Sequence, residues 1–552
     1  MNDAVAARGG ARAALLAGLL ALAASWFALL GYRALFNPDE GRYAEIPREM
    51  LESGNWLVPR LNDLVYIEKP PLQYWATAAS YALFGISEWT ARLYTGLCGF
   101  LTVLITAGLA YRLWGPAAAW RAGIMLGSSL LLVLMGHQLT LDMSLAFFTT
   151  LTLAAFCLAQ DGRTSATARR YWMWLTWASA AGAFLTKGLV ALVLPSITLL
   201  VYAIVQRDGA IWRRLYLVSG LVLFSILALP WMLLMQRELP QFFDFFIVRE
   251  HFQRYLTLIS DRYEPWWFFI PILAGGSLPW VIPTARALYG GWRASTSPGM
   301  FDARRLLWIW AATVFLFFSL SDSKLVPYIL PMFPAVAVLM ATGEEARLRR
   351  DLRNTGMMLV GIGVVFLVLA VFLERLVPES PRTVLFYDLR PALFAVAVLS
   401  LGGGALTIRS RGDSLRLTAI VGLTGYLSAA ALLWSARAVE PIYSGAGLAA
   451  QLPPDLSTAA VPMFSVRTYD QSLPFYLRRT MTMVEERGEL TFGLDLEPHK
   501  GVPSLSAFET QWLDLPQALA VVEPRTYALL EQHGLPMVVR AHDLRRLIVS
   551  RR

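Results

Sequence analysis

Residues Ala13–Leu30 read AALLAGLLALAASWFALL, and the chain continues through Gly31-Tyr32-Arg33-Ala34-Leu35 into Phe36-Asn37-Pro38-Asp39-Glu40-Gly41-Arg42-Tyr43-Ala44-Glu45-Ile46-Pro47. A helix needs about 20 apolar residues to cross the hydrocarbon core of a bilayer, and the first run is of that order. It follows Arg8 and Arg12 as a signal peptide would, yet it lacks a small-residue cleavage site and runs on into bulky Trp26, Phe27 and Tyr32. It therefore reads as an uncleaved first span with its N-terminus in the cytoplasm. The second run places two adjacent carboxylates and an arginine just beyond the membrane on the far side.

The whole chain follows the same pattern. Of its 552 residues 56% are hydrophobic and 16% charged, more apolar surface than a soluble fold could hide. Further spans are expected near 90–111, 117–135, 143–160, 172–186, 188–205, 215–235, 266–285, 306–320, 325–341, 355–373, 389–408 and 415–436, about thirteen with the first. The net charge of +9 would suggest nucleic acid in a soluble chain. Here the arginines punctuate every second loop, as at Arg112/Arg121, Arg163/Arg169/Arg170, Arg207/Arg213/Arg214, Arg293/Arg304/Arg305, Arg347/Arg349/Arg350/Arg353 and Arg409/Arg411/Arg416. That is the bias of cytoplasmic loops, so no nucleic-acid partner is expected and an odd span count puts the C-terminus outside.

Two organisational readings follow. Residues 1–438 form an all-α polytopic membrane domain with outside loops 34–89 and 237–265, and the amphipathic stretches Tyr43–Leu51 and Leu72–Phe84 are expected to lie along the membrane interface. Residues 439–552 lose the spanning pattern and alternate short apolar strands (Val461–Val466, Leu519–Val522, Met537–Val539) with helical pieces, a small α/β domain outside the membrane. Cys98 and Cys157 both lie within apolar runs and suggest neither a disulfide framework nor metal ligation.

The residues that could carry chemistry sit in the outside loops and outer helix ends. Asp39 could simply cap a helix, with Arg42 as a surface ion pair. Asp142, at the outer end of the fourth span, weighs towards a site, because an ionisable group at such depth is costly and tends to be paired or to line a wet cavity. Tyr66-Ile67-Glu68-Lys69-Pro70-Pro71 brings a charged pair into an aromatic and proline setting. Lys69 could meet a phosphate at the interface, Arg254 could add a planar fork, and the alternative for each is a cation that snorkels to lipid headgroups. Lys187, and Lys324 with Tyr328, end helices on the same side with the same two readings. Glu68 and His251 could hold a divalent cation, Zn or Mg, if their loops meet, although two ligands from distant segments are a sparse set. The sequence has no nucleotide-binding loop and no zincin histidine pair.

Asn37-Pro38-Asp39-Glu40-Gly41-Arg42-Tyr43-Ala44-Glu45-Ile46-Pro47-Arg48-Glu49-Met50, Gly54-Asn55-Trp56-Leu57-Val58-Pro59-Arg60, Tyr66–Pro71, Leu141-Asp142 and Leu185-Thr186-Lys187-Gly188 together closely resemble the bacterial aminoarabinose transferases that modify lipid A, members of the GT-C superfamily of lipid-linked glycosyltransferases. The resemblance covers the membrane part along its length and says less about residues 439–552. It implies an inner-membrane enzyme, active on the periplasmic face, that moves 4-amino-4-deoxy-L-arabinose from undecaprenyl phosphate to a lipid A phosphate and so confers polymyxin resistance. By that reading Asp39, Asp142 and Glu68 are catalytic, and Lys69, Arg42, Arg254, Tyr66, Lys187 and Tyr328 bind the lipid phosphate. Two rival readings are a GT-C transferase acting on another polyprenyl-phosphate sugar or a protein hydroxyl, and a lipid flippase. The latter would be expected to show inverted repeats and midplane charges, neither of which the sequence contains.

Overall fold

In the computed structural model, residues 18, 20–247, 263–293, 296–376, 380, 383–456, 461–486 and 488–551 are described. Each of the thirteen apolar segments is helical where described, but they are not thirteen uninterrupted spans. Among the described residues seven helices are long and apolar enough to cross a bilayer, or eight if the bent pair Pro116–Gly127 and Leu130–Gly136 counts as one. Leu20–Gly31, Val190–Gln206 and Val326–Ala341 are shorter apolar helices.

The interruptions have local causes. The bent pair turns by 65° at Ser128-Ser129, and residues 266–285 break into Phe269–Gly276 and Val281–Gly290 around the cis Leu278-Pro279 bond. The two breaks face each other: Leu130 N donates to Leu278 O (3.0 Å) and Trp280 Nε1 to Ser128 Oγ (3.0 Å), so polar groups freed by one break are satisfied by the other. Such pairing is what makes broken helices tolerable away from water.

Two helices show the lipid-facing side plainly. Leu217–Glu238 and Glu345–Leu376 leave Leu221, Val222, Ile226, Leu233, Val364, Val365 and Val371 exposed. A soluble protein would bury such rows; lipid accepts them. Glu345–Leu376 also packs closely on Arg390–Arg409, where a Cβ added at Gly404 would lie 2.6 Å from Gly356 O. Small residues of this kind let membrane helices approach backbone to backbone.

The long loop after the first apolar helix opens with the helix Asp39–Ser53, followed by the hairpin β1 (Arg60–Leu61) and β2 (Leu64–Val65) and the helix Leu72–Phe84. The expectation that Tyr43–Leu51 lies along the membrane interface is corrected: every residue from Glu40 to Met50 is buried. The reason is the C-terminal region, which covers it. A Cβ at Gly41 would come within 2.5 Å of Gln471 C and Ser472 N, so only glycine permits this approach. Asn37 Nδ2 donates to Asp470 Oδ2 (2.5 Å), Ser472 N to Asn37 Oδ1 (2.8 Å), and Asn62 exchanges two 2.7 Å bonds with the Met481 backbone.

That region holds a six-stranded sheet of β3 (Met463–Val466), β4 (Thr482–Val484), β5 (Gly501–Val502), β6 (Leu519–Val522), β7 (Val538–His542) and β8 (Leu547–Ser550), in the order β5-β4-β3-β6-β8-β7. β5, β4, β3 and β6 are parallel, while β8 runs antiparallel to β6 and β7 to β8. β3 and β6 are buried on both faces, which is why they read as mainly apolar runs in the sequence, broken only by Ser465, whose hydroxyl donates to the Thr468 carbonyl. Phe464 and Val466 face Phe508 and Trp512, whereas Met463 faces Leu448 and Leu473.

Candidate functional site

Adjacent acids Asp39 and Glu40 meet opposite environments. Glu40 is fully buried and accepts from Arg33, from Arg92 Nε (2.7 Å) and Nη2 (3.0 Å), and from the backbone N–H groups of Phe36 (2.9 Å) and Leu139 (3.0 Å). Burial pushes its carboxyl pKa up, but the two guanidiniums more than reverse this and hold it at about 2. Leu139 lies three residues before Asp142, so Glu40 ties the first loop to the segment that carries the second acid. Its role is to set register. Asp39 instead starts the helix after Pro38 without capping it, keeps 38% of its side chain exposed, and receives a 3.0 Å bond from Arg42 Nη1.

Arg42 is buried and central. Its Nη2 meets Glu489 Oε2 at 2.5 Å, its Nε has no hydrogen-bond partner, and its guanidinium lies 5.8 and 6.0 Å from the rings of Tyr43 and Tyr66. Burial works against its charge, yet Tyr66, Glu489, Tyr43 and Asp39 raise its pKa well above the ordinary arginine value. Burial raises the Tyr66 and Tyr43 phenols, so both remain neutral donors. Burial is the main cause of the Tyr43 rise; the negative charges of Asp39, Glu68 and Asp142 add to it and Arg42 opposes it.

Asp142 reaches this place through helix pairing. Leu141–Gln160 and Ala166–Lys187 form an antiparallel hairpin, so the first turn of one lies beside the last turn of the other. An acid at a helix N-terminus and a lysine at a C-terminus suit the two helix dipoles, and the Lys187 ammonium bonds Asp142 Oδ1. The same ammonium sits 4.6 Å from the Tyr328 ring centre, a cation–π contact. Lys69 Nζ donates to the Glu68 carbonyl at 2.9 Å, which turns its head back towards the loop.

Other expected residues fall elsewhere. Lys324 is buried and donates to the carbonyls of Glu264 (2.6 Å) and Ser321 (2.5 Å), so it ties two loops together. His137 is buried with both ring nitrogens against backbone carbonyls of Val133 (2.7 Å) and Trp26 (2.9 Å). Arg254 and His251 lie outside the described residues. Among the described residues no three His, Cys, Asp or Glu side chains converge as a metal set, and Cys98 and Cys157 are unbridged and buried.

Two residues of the cluster had no signal in the sequence. Glu489, from the C-terminal region, pairs with Arg42 and accepts from Gln471 Nε2 at 2.6 Å; burial raises its carboxyl pKa against the opposing pull of Arg42. Tyr74, on the helix Leu72–Phe84, is fully buried 6.1 Å from Tyr43, and its hydroxyl has no hydrogen-bond partner.

Comparison of the chain with known proteins finds clear relatives. Residues 448–551 match the family model of the aminoarabinose transferase C-terminal domain, and residues 14–246 that of dolichyl-phosphate-mannose-protein mannosyltransferases. The undecaprenyl phosphate-alpha-4-amino-4-deoxy-L-arabinose arabinosyl transferase 1 of Proteus mirabilis is 30% identical over 91% of this chain and 89% of its own. The chain belongs to this family of arabinosyl transferases. The Edwardsiella ictaluri member is 36% identical over 352 residues, 61% of this chain and 62% of that protein. Matches to relatives from Pseudomonas fluorescens and Enterobacter span 65% and 56% of their lengths. The crystal structure of ArnT from Cupriavidus metallidurans bound to undecaprenyl phosphate superposes with a TM-score of 0.90, at 34% identity and with 98% of both chains covered. The apo structure of that protein gives 0.88. The chain is thus a multi-pass membrane protein of the GT-C type with a small C-terminal sheet domain.

Proposed function

We propose that this chain transfers 4-amino-4-deoxy-L-arabinose from undecaprenyl phosphate to a phosphate of lipid A, on the periplasmic face of the bacterial inner membrane. The observation that carries the reading is a buried Arg42 held by Asp39 and Glu489 beside the Tyr43 and Tyr66 rings, together with Asp142 bonded by a Lys187 that lies over Tyr328. The match of residues 448–551 to the aminoarabinose transferase model favours this sugar over mannose. The arginine bias of alternate loops supports the orientation. In this reading residues 1–438 form the catalytic membrane domain, and residues 439–552 form a periplasmic cover that supplies Glu489.

The reaction is a displacement at the anomeric carbon. An acceptor phosphate oxygen forms the new C–O bond while the bond to undecaprenyl phosphate breaks and its phosphate leaves with the electron pair, inverting the configuration. The acceptor is already anionic at neutral pH, since a phosphate monoester has a second pKa of about 6, so no strong base is required. Stabilising the leaving phosphate is the larger task, and it falls to Arg42 and Lys69, with the Tyr66 hydroxyl as a neutral donor; Arg254 is a further candidate on its sequence alone. Asp39 is the more open of the two acids, with 38% of its side chain exposed against 11% for Asp142. It holds the sugar's ammonium, while Asp142, engaged by Lys187, orients the acceptor. Glu68 positions Lys69. Purified protein supplied with the undecaprenyl-phosphate-linked sugar and lipid A should release undecaprenyl phosphate in step with an inverted anomeric product. Equal release with dephosphorylated lipid A would contradict a phosphate acceptor.

A further inference from the structure

At the other end of the bundle, the helices Val281–Gly290, Phe333–Ala341 and Glu345–Leu376 line a cavity of about 380 Å³. The helix Ala303–Leu320 separates it from the Asp39–Asp142 cluster. Arg304 at the start of that helix lines the cavity, and the chain leaving its far end leads to Tyr328, which receives Lys187. Eighteen residues at 1.5 Å each set the two sites about 27 Å apart, across the membrane from one another.

The cavity's chemistry is divided. Leu339, Met340 and Leu348 are buried and give it an apolar floor. Arg286, Arg293, Arg304 and Arg347 stand around it, together with Glu344 and Asp351. Each acid is engaged by one arginine, Asp351 by Arg286 Nε at 2.5 Å and Glu344 by Arg347 Nε at 2.8 Å. Asp351 is 2% exposed and its second oxygen has no hydrogen-bond partner, so it holds the Arg286 fork from beneath and neutralises no further cation. Arg293 and Arg304 carry no ion pair among the described residues. The cytoplasmic bias for arginine explains why such residues occur in these loops. It does not require them to converge from three stretches of chain on a cavity with an apolar floor.

We propose that this cavity binds the phosphodiester headgroup of an anionic membrane lipid. Guanidinium forks match phosphate oxygens two at a time, and the apolar floor suits the glycerol and upper acyl segments that a soluble phosphate lacks. Basic pockets between membrane helices on the cytoplasmic side are the general form of such sites.

Native mass spectrometry of the full chain, released from detergent micelles with phosphatidylglycerol or phosphatidylcholine added, tests this. The wild type should retain phosphatidylglycerol about tenfold better than phosphatidylcholine, and the Arg293→Gln/Arg304→Gln double variant should lose that preference. Arg349→Gln/Arg350→Gln removes the same charge from the same face but not from the cavity, and should keep it. Melting temperature and gel filtration of both double variants confirm that each is folded. Equal retention of the two lipids by the wild type, or equal loss of preference in both double variants, would overturn the site. Phosphatidylglycerol adducts that persist against excess inorganic phosphate support the lipid, whereas displacement by phosphate would overturn it in favour of a soluble anion.

Discussion

Replacing Glu40 by Gln should strongly destabilise what replacing its neighbour Asp39 by Asn leaves intact. In Glu40, Oε2 accepts from Arg33, Arg92 Nη2 and Phe36 N, and Oε1 from Arg92 Nε and Leu139 N. Whichever way an amide turns, its NH2 group faces at least two of these donors, and the guanidiniums lose their counter-charge in a place without water. Breaking a buried pair in this way costs about 3–5 kcal/mol. A second route gives a similar size: a carboxyl held at about 2 against an ordinary 4.5 favours its charged form by about 3 kcal/mol. Because that pKa is depressed, the contribution is fully present above 4.5 and is lost as the pH falls towards 2. Thermal unfolding followed by gel filtration should show Glu40→Gln melting well below the wild type near neutral pH, with Asp39→Asn melting alongside the wild type. A Glu40→Gln protein that melts with the wild type would refute the register role.

Three further outcomes follow from the geometry. Gly41→Ala forces a Cβ into the Gln471–Ser472 backbone and should cost about 1–3 kcal/mol, seen as faster proteolysis between residues 439 and 462 while the membrane helices stay protected. Lys187→Met removes the partner of Asp142 and the cation over Tyr328, so transfer should fall by about two orders of magnitude, read as kcat/KM on the folded fraction, and melting should fall as well because Asp142 is left unpaired in a largely buried place. Glu489→Gln leaves Arg42 without its strongest acceptor and should weaken donor phosphate binding or turnover about tenfold, measured by undecaprenyl phosphate titration and by rate.

Much of the membrane part was legible because lipid imposes a strong rule: apolar runs of spanning length, separated by loops in which arginine marks one side. That rule also placed Asp39 and Asp142 on one face, and the helix hairpin then brought Lys187 to Asp142. What it could not show is where a span breaks. Pro279 after Gly275 and Gly276, and the Ser128-Ser129 pair, were available signals, but their mutual hydrogen bonds are tertiary. Nor could spacing separate Asp39 from Glu40, since the difference lies in Arg33 and Arg92 closing on one carboxylate only. Amphipathic periodicity put Tyr43–Leu51 at the membrane surface because nothing local reveals that a sheet domain formed by the last hundred residues will lie over it. Glu489 was hidden for the same reason: its partner Arg42 lies at the opposite end of the chain.

The central claim is tested most directly by mass spectrometry of lipid A from a polymyxin-sensitive strain that makes the donor but lacks the transferase, with and without this chain. The account predicts lipid A that gains aminoarabinose with the wild type and gains none with a stably inserted Asp39→Asn variant. Unmodified lipid A in the presence of folded wild-type protein and donor, or full modification by Asp39→Asn, would contradict it.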